Sequence, residues 1–220
     1  MKRHRLFGYA GLLFAAFALL ARGTLAVDGL VPRLPFLLGT AFAVAAGAGI
    51  ELRSLRGADA LPLDRGDAAD FLAVVAGALL TYWLSVDGGL GPVVASAAVG
   101  LAAGVALPRV DSAAYCGSFV GMVSPTVFPD AGLVVAAGAA SGALFVTARG
   151  AFDGFGGKLG TTAFFGCLVV AVGAGTGFAA GTAPAWGDAA LLIPVAAVAA
   201  ALTVALGFRF EFGAVVASAP

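Results

Sequence analysis

The stretch YCGSFVGMVSPTVFPD, residues 115–130, decides how the apolar segments on either side of it are arranged. Its first half contains Gly117 and Gly121, which lie on the same face of a helix. Its second half contains Pro125, which lacks a backbone donor, and Pro129, which ends a helix. The stretch therefore predicts a helix that is bent or unwound toward its end.

The composition of the whole chain is typical of a membrane protein. Of the 220 residues, 61% are hydrophobic and 11% are charged, whereas a soluble domain carries about 25% charged residues. Too little charge remains to cover a surface that faces water. Because backbone groups in lipid must be satisfied within their own segment, the long apolar runs predict helices. The sequence thus predicts an all-α polytopic membrane protein with a single integral membrane domain over residues 1–220.

Eight apolar segments are candidates for spans, since crossing a bilayer takes about 20 residues, with a range of about 17–25. They are 6–21, 34–50, 71–86, 90–107, 113–128, 131–148, 161–181 and 189–208. Segment 6–21 follows a basic start, so a cleaved secretory signal is an alternative to a first span. Segment 113–128 gives only about 24 Å of helix at 1.5 Å per residue, so a re-entrant loop is an alternative there.

The distribution of Lys and Arg favours eight crossings. With the N-terminus inside, all of the twelve basic residues except Arg22 and Arg33 fall on the cytoplasmic side, as the positive-inside rule expects. A re-entrant fifth segment would move further basic residues outside. The pattern predicts a multi-pass protein of the cell membrane, with both termini in the cytoplasm and a cytoplasmic loop at 51–70.

Glycines four residues apart recur in the fourth to seventh segments. This spacing lets two helix backbones approach closely in lipid. It predicts a Gly-rich inner bundle of segments four to seven, with the bulkier first and eighth segments facing lipid or a second subunit. The predicted packing glycines are Gly100, Gly104, Gly117, Gly138, Gly142, Gly173 and Gly177.

The fifth segment also contains a candidate solute path. Ser118, Gly121 and Pro125 are spaced three and four residues apart and share a helix face. Short segments interrupted by Gly and Pro line substrate sites in transporters. Ser118, Gly121, Ser124 and Pro125 are therefore the predicted path residues. The alternative is that these hydroxyls bond to their own helix backbone.

The glycine-rich stretch GAFDGFGGKLGTT, residues 150–162, is a second candidate site. Free amides at a helix N-terminus favour anions, and a lysine lies beside them. Asp153, Lys158, Thr161 and Thr162 are therefore predicted to form a cytoplasmic mouth or an anion-binding turn. The stretch lacks the spacing of a phosphate-binding loop, and an ordinary loop whose lysine only sets topology is the alternative.

Residues suited to catalysis or metal binding are scarce in this sequence. His4 is the only histidine, and Cys116 and Cys167 are the only cysteines. This set is too small for a metal site or a Ser-His-Asp arrangement. The sequence therefore predicts no enzyme activity, no metal and no cofactor. Without a basic tract, it also predicts no nucleic-acid partner.

Three functions are compatible with these features. The first is a passive transporter or channel for a small neutral or anionic solute. The second is a non-transporting assembly or scaffold subunit that docks a partner through loop 51–70. The third is a membrane-embedded enzyme acting on lipids. The predicted partners are the lipid bilayer and either further copies of this chain in a homo-oligomer or a membrane partner subunit.

Overall fold

The computed structural model describes residues 3–25, 34–57, 64–152 and 157–176, with a few positions between 194 and 205. In this part of the chain the structure is all-helical, with seven helices and no strand, so the all-α prediction is confirmed. The eighth predicted segment, 189–208, lies largely outside the described residues. The helices are α1 (Arg3–Leu25), α2 (Leu34–Gly57), α3 (Arg65–Val86), α4 (Pro92–Ala106), α5 (Asp111–Gly121), α6 (Ala131–Thr147) and α7 (Lys158–Ala174).

Helix length and composition identify one candidate membrane span in the described ranges. Among the helices that the structure describes, α3 alone is both long enough and apolar enough to cross a bilayer. Shorter apolar helices cover Leu6–Ala21, Pro92–Ala106, Ala131–Thr147 and Lys158–Ala174. The helical class therefore stands, and the full set of eight spans stays a prediction.

Local sequence explains where three of the helices begin. The Asp64 carboxylate accepts a bond from the Asp67 amide at 3.1 Å, and the Asp67 carboxylate accepts one from the Asp64 amide at 2.7 Å. This capping box starts α3. Pro92 lies in the first turn of α4, where no amide is needed. Asp130 caps α6 by accepting from the Leu133 amide at 3.1 Å.

The predicted cytoplasmic loop 51–70 is shorter in the structure. Helix α2 continues to Gly57 and α3 begins at Arg65. The sequence ELRSLR is rich in good helix formers, which explains why α2 extends through it. Asp67, expected in a solvated loop, is instead buried in the first turn of α3, with 6% of its surface exposed.

Helix α5 is shorter than the predicted segment 113–128. It has 11 residues and ends at Gly121, which corresponds to about 16 Å at 1.5 Å per residue. Residues 122–130 form turns and bends, without further helix. Pro125 and Pro129 cannot donate to a helix, so the predicted unwinding extends over the whole second half of the segment.

Contacts between the helices show that they run in alternating directions. Helices α1, α3, α5 and α7 begin at one face of the bundle, and α2, α4 and α6 end there; this is called the charged face below. The contacts that establish it are Gly8 with Thr147, Gly11 with Leu144, Tyr9 with Ala48, Val74 with Gly117, Ala78 with Gly121, Ser96 with Ser118, Gly100 with Tyr115, Phe71 with Gly142, Val75 with Gly138, and Ser141 with Ala163.

Glycines allow the helices of this bundle to approach closely. A Cβ on Gly117 would overlap the carbonyl oxygen of Val74 in α3, and one on Gly166 would overlap that of Ala137 in α6. Among the predicted packing glycines, Gly138 and Gly142 also lie against α3, and Gly100 lies against the Tyr115 ring in α5. The interfaces of α5 and α6 with α3 thus depend on the absence of side chains.

Not every glycine of the spacing pattern lies in an interface. Gly173 is exposed, and a Cβ built there would have no described atom within 4 Å. It lies near the end of α7, beyond the part that packs on α6, so no described helix packs against it, and its role in helix packing stays a prediction. Gly104 is half-buried in α4, and Gly177 lies outside the described residues.

Candidate functional site

Charged side chains from distant parts of the sequence meet at the charged face. Arg149, just after α6, forms an ion pair with Asp67 in the first turn of α3. Its guanidinium also lies 3.4 Å from the Asp70 carboxylate, one turn further along. The side chain of Asp67 is 8% exposed, and a carboxylate so buried needs a cation beside it. Arg149 therefore joins the end of α6 to the start of α3.

A cleft of about 360 Å³ opens beside this ion-pair cluster and is called the polar cleft below. Its wall combines a guanidinium, an ammonium, a hydroxyl and a carboxylate with two apolar side chains. The residues are Asp70, Ser112, Phe145, Arg149, Lys158 and Leu159. The volume is within the range of small-molecule sites, about 300–1,000 Å³. The cleft has the size and the donors to hold a small anion.

A second cleft, of about 390 Å³, lies between α1, α2 and the start of α7 and is called the apolar cleft below. Leu12 and Leu13 of α1 and Gly47 of α2 contribute to its wall. Phe152 closes part of it, and Lys158 and Thr161 are its polar side chains. The apolar cleft therefore has a hydrocarbon wall and a polar end.

Lys158 lines both clefts. It is the first residue of α7, directly after Gly157, whose φ of 86° places it in the left-handed region that favours glycine. Gly157 provides no side-chain cap for α7. The first amides of α7 and the lysine ammonium thus lie at the same helix end, an arrangement that attracts anions.

Phe152 is held in place by both α1 and α2. Its ring stacks on Tyr9, with 5.5 Å between the ring centroids. The Tyr9 hydroxyl donates to the Ala48 carbonyl of α2 at 2.8 Å. Phe152 has a φ of 56°, which is rare for a bulky residue and is found where surrounding contacts impose it. The wall of the apolar cleft is therefore built from three parts of the chain.

The predicted path residues are not brought together in either cleft. Ser118 is fully buried, donates to the Tyr115 carbonyl at 2.8 Å and lies 2.9 Å from the Ser96 hydroxyl. Its single hydrogen is used in the first bond, so it accepts from Ser96 in the second. Gly121 packs against α3. Ser124 and Pro125 are exposed in the turn after α5, where the Ser124 and Thr126 hydroxyls lie 2.8 Å apart.

The residues of the predicted mouth fall into three groups. Lys158 and Thr161 line the clefts. Thr162 is fully buried and donates to the Lys158 carbonyl at 2.9 Å, which stabilises the first turn of α7. Asp153 lies outside the described residues. The structure therefore brings two of the four predicted side chains to the candidate site.

Sequence reasoning missed the residues that complete the site. The sequence alone indicates only a topology charge at Arg149, and it places Asp67 and Asp70 in the cytoplasmic loop 51–70. One signal was present in the sequence, because the spacing of Asp64 and Asp67 before an apolar run is that of a capping box. It predicts a helix start at that point, but no local pattern pairs the start with Arg149.

Comparison with known proteins gives no family for this chain. No family model matches the sequence, and no similar curated protein or solved structure was found. The two clefts and their surroundings are therefore the basis for assigning a function.

Proposed function

We propose that the chain is a multi-pass membrane protein that carries a small anionic solute passively across the membrane, and that the solute binds first in the polar cleft. The observation that supports this most is the position of Lys158. It lines both clefts and lies at the N-terminus of α7, where the N-cap residue Gly157 provides no side-chain cap. A cation at a helix N-terminus, beside a cavity of suitable size, favours an anionic ligand.

The outer surface of the bundle supports the membrane setting. Large apolar side chains are exposed on several helices, with Phe42 at 76%, Val105 at 72% and Val172 at 70%. Soluble monomers rarely expose extended apolar surface of this kind. Lipid chains would cover it, and helix α3 has the length and composition of a span.

The positions of Lys and Arg support an orientation. Most of the basic residues in the described ranges lie near the charged face, and Arg22 of α1 lies toward the opposite one. By the positive-inside rule, the charged face is cytoplasmic. The basic residues near that face are Arg3, Arg5, Arg53, Arg56, Arg65, Arg109, Arg149 and Lys158.

The route we propose differs from the one that the sequence predicts along α5. The face of α5 with Ser118 and Gly121 packs against α4 and α3, and neither residue lines one of the two clefts. The two clefts that share Lys158 lie at the start of α7 instead. The solute would therefore move along α7, between it and helices α1 and α2.

A scaffold or assembly subunit is the second candidate function. The close packing of α5 between α3 and α4 favours it, because a protein without a transport role needs no aqueous path through its centre. It predicts stable association with a partner and no solute flux. The flux experiment below separates the two functions.

The test of the proposed function is anion flux into proteoliposomes that contain the purified chain. Methanesulfonate and inorganic phosphate serve as charged probes, and glycerol serves as the neutral probe. We expect uptake of at least one anion above that of empty liposomes. Lys158→Gln should lower this uptake at least about tenfold, because a hydrogen bond to a charged group contributes about 1.5–3 kcal/mol. Lys158→Arg, which keeps the charge, should retain most of it.

The matched control is Arg109→Gln, which removes a cation from the same face. Arg109 is exposed and does not line either cleft, so its loss should leave anion uptake unchanged. Equal uptake of anions by liposomes with and without the purified chain would contradict the transport proposal. Equal loss of uptake in the Lys158 and Arg109 variants would mean that only general surface charge is involved.

A further inference from the structure

We propose that the apolar cleft binds a single alkyl chain whose anionic head is held at Lys158, so that the solute is an amphipathic anion. This inference rests on the proposed function for the charge of the head group. It adds the chemical class of the ligand, which an anion site alone does not define.

The wall of the apolar cleft fits hydrocarbon along most of its length. Leu12 and Leu13 contribute side chains from α1, and the Phe152 ring forms another part of the wall. Gly47 of α2 contributes no side chain to the wall, and a Cβ built there would have no described atom within 4 Å. Transfer of methylene groups from water into such a site is favourable in proportion to the apolar area covered.

The polar end of the same cleft fits the head group. Lys158 and Thr161 lie one helical turn apart at the start of α7 and both line the apolar cleft. Lys158 also lines the polar cleft, where Ser112 and Arg149 lie. An anionic head beside Lys158 would therefore face the polar cleft, while its chain extends between α1 and α2.

The size of the cleft selects one occupant. A volume of about 390 Å³ is near the lower end of the range for small-molecule sites, about 300–1,000 Å³. One short alkyl chain fits within this space, whereas the two long chains of a phospholipid would extend beyond it. The occupant we infer is therefore a free single-chain anion rather than a lipid of the bilayer.

The test is a chain-length series of alkyl sulfonates, measured by titration calorimetry on the full chain in phosphatidylcholine nanodiscs. Methane-, butane- and octanesulfonate carry the same head group and differ in chain length, and empty nanodiscs correct for partition into lipid. We expect affinity to rise with chain length, by up to about fourfold for each methylene that becomes buried. Gly47→Leu should remove most of this dependence on chain length.

The matched control is Gly49→Leu. Gly49 lies in the same helix and also has no described atom within 4 Å of an added Cβ, but it does not line the cleft. It should retain the full dependence on chain length. If Gly47→Leu does not fold, Ala16→Leu, on the α1 side of the cleft, provides the same test.

Three results would overturn the inference, and they differ in what they mean for the proposed function. Binding of methanesulfonate without any dependence on chain length would leave the anion site standing and remove the alkyl site. Displacement of octanesulfonate by phosphatidylglycerol in the nanodiscs would identify a bilayer lipid as the occupant. Binding of no sulfonate at all, together with no anion flux, would remove both proposals.

Discussion

Arg149 and Asp67 form an ion pair at the boundary of an apolar helix bundle. Removing one partner of a fully buried pair costs about 3–5 kcal/mol, because the other charge is left uncompensated. Here the Arg149 side chain is 35% exposed, so water screens part of the loss. We expect Arg149→Met to lower the free energy of unfolding by about 1–3 kcal/mol. Denaturant titration of the purified chain in micelles measures this change.

A double variant and a surface variant serve as controls for that prediction. Asp67→Asn combined with Arg149→Met removes both charges and should recover part of the lost stability. Arg109→Met changes an exposed cation and should alter the free energy of unfolding by less than about 0.5 kcal/mol. Equal destabilisation by Arg149→Met and Arg109→Met would show that the ion pair with Asp67 contributes nothing.

The residues of the site differ in how well the sequence predicts them. Lys158 and Thr161 were predicted because their signal is local, a glycine-rich turn followed by an apolar run. The partners of Arg149 were not predicted, because Asp70 is 79 residues away in the chain and only the packing of α6 against α3 brings the two together. A charge near a helix end is compatible with both a topology role and a structural role, and composition does not separate them.

Helices α3 and α5 approach each other closely because a glycine lies in their interface. A Cβ on Gly117 would overlap the Val74 carbonyl, which belongs to the backbone of α3 and has little freedom to move. We expect Gly117→Ala to destabilise the protein by about 1–3 kcal/mol, the usual cost of overpacking. Denaturant titration in micelles, with helicity followed by circular dichroism, measures it.

Gly173 provides the matched control for that substitution. It belongs to the same spacing pattern and lies in the last turn of α7, but it is exposed and has no described atom near an added Cβ. Gly173→Ala should therefore leave the free energy of unfolding unchanged or raise it by at most about 0.5–1 kcal/mol, since alanine is the better helix former. Destabilisation of similar size in both variants would contradict the assigned interface between α3 and α5.

The contrast between these two glycines shows what a spacing pattern can predict. Two glycines four residues apart share a helix face, but the pattern does not say whether another helix lies on that face. Conversely, Gly166 packs against Ala137 and Ser141 of α6 without a glycine four residues away. Helix packing depends on the partner surface as much as on the small residue, and a single sequence does not give that surface.

At the scale of the whole molecule, the sequence predicted the class and the alternation of the helices better than their lengths. Composition alone required helices, and the described part of the chain is helical. Alternating helix directions follow from short connections between successive apolar segments. The length of α5 was overestimated because apolar residues continue to Phe128, whereas the helix depends on backbone donors that Pro125 and Pro129 lack.

The proposed orientation of the bundle in the membrane leads to a labelling prediction. The connection before α5 lies at the charged face, and the turn after α5 lies at the opposite face, where Ser124 is exposed. In a background with Cys116→Ala and Cys167→Ala, Ser124→Cys should react with an impermeant maleimide added to intact cells. Pro108→Cys, also exposed, should react only after the membrane is opened.

Pro108 and Ser124 flank α5, the shortest of the seven described helices. The experiment therefore tests whether the chain crosses the membrane between these two residues. Helix α5 alone covers about 16 Å at 1.5 Å per residue, roughly half of a hydrocarbon core of about 30 Å. Residues 122–130 would then have to provide the remaining distance as irregular backbone, which is tolerated at that depth only where protein covers it. Val127 and Phe128 are buried, and the Tyr82 hydroxyl donates to the Phe128 carbonyl at 2.7 Å, so protein covers this part of the irregular backbone.

Labelling of both cysteines from the same side would mean that the segment returns to the face from which it started, and the orientation of α6 and α7 in the membrane would then be reversed.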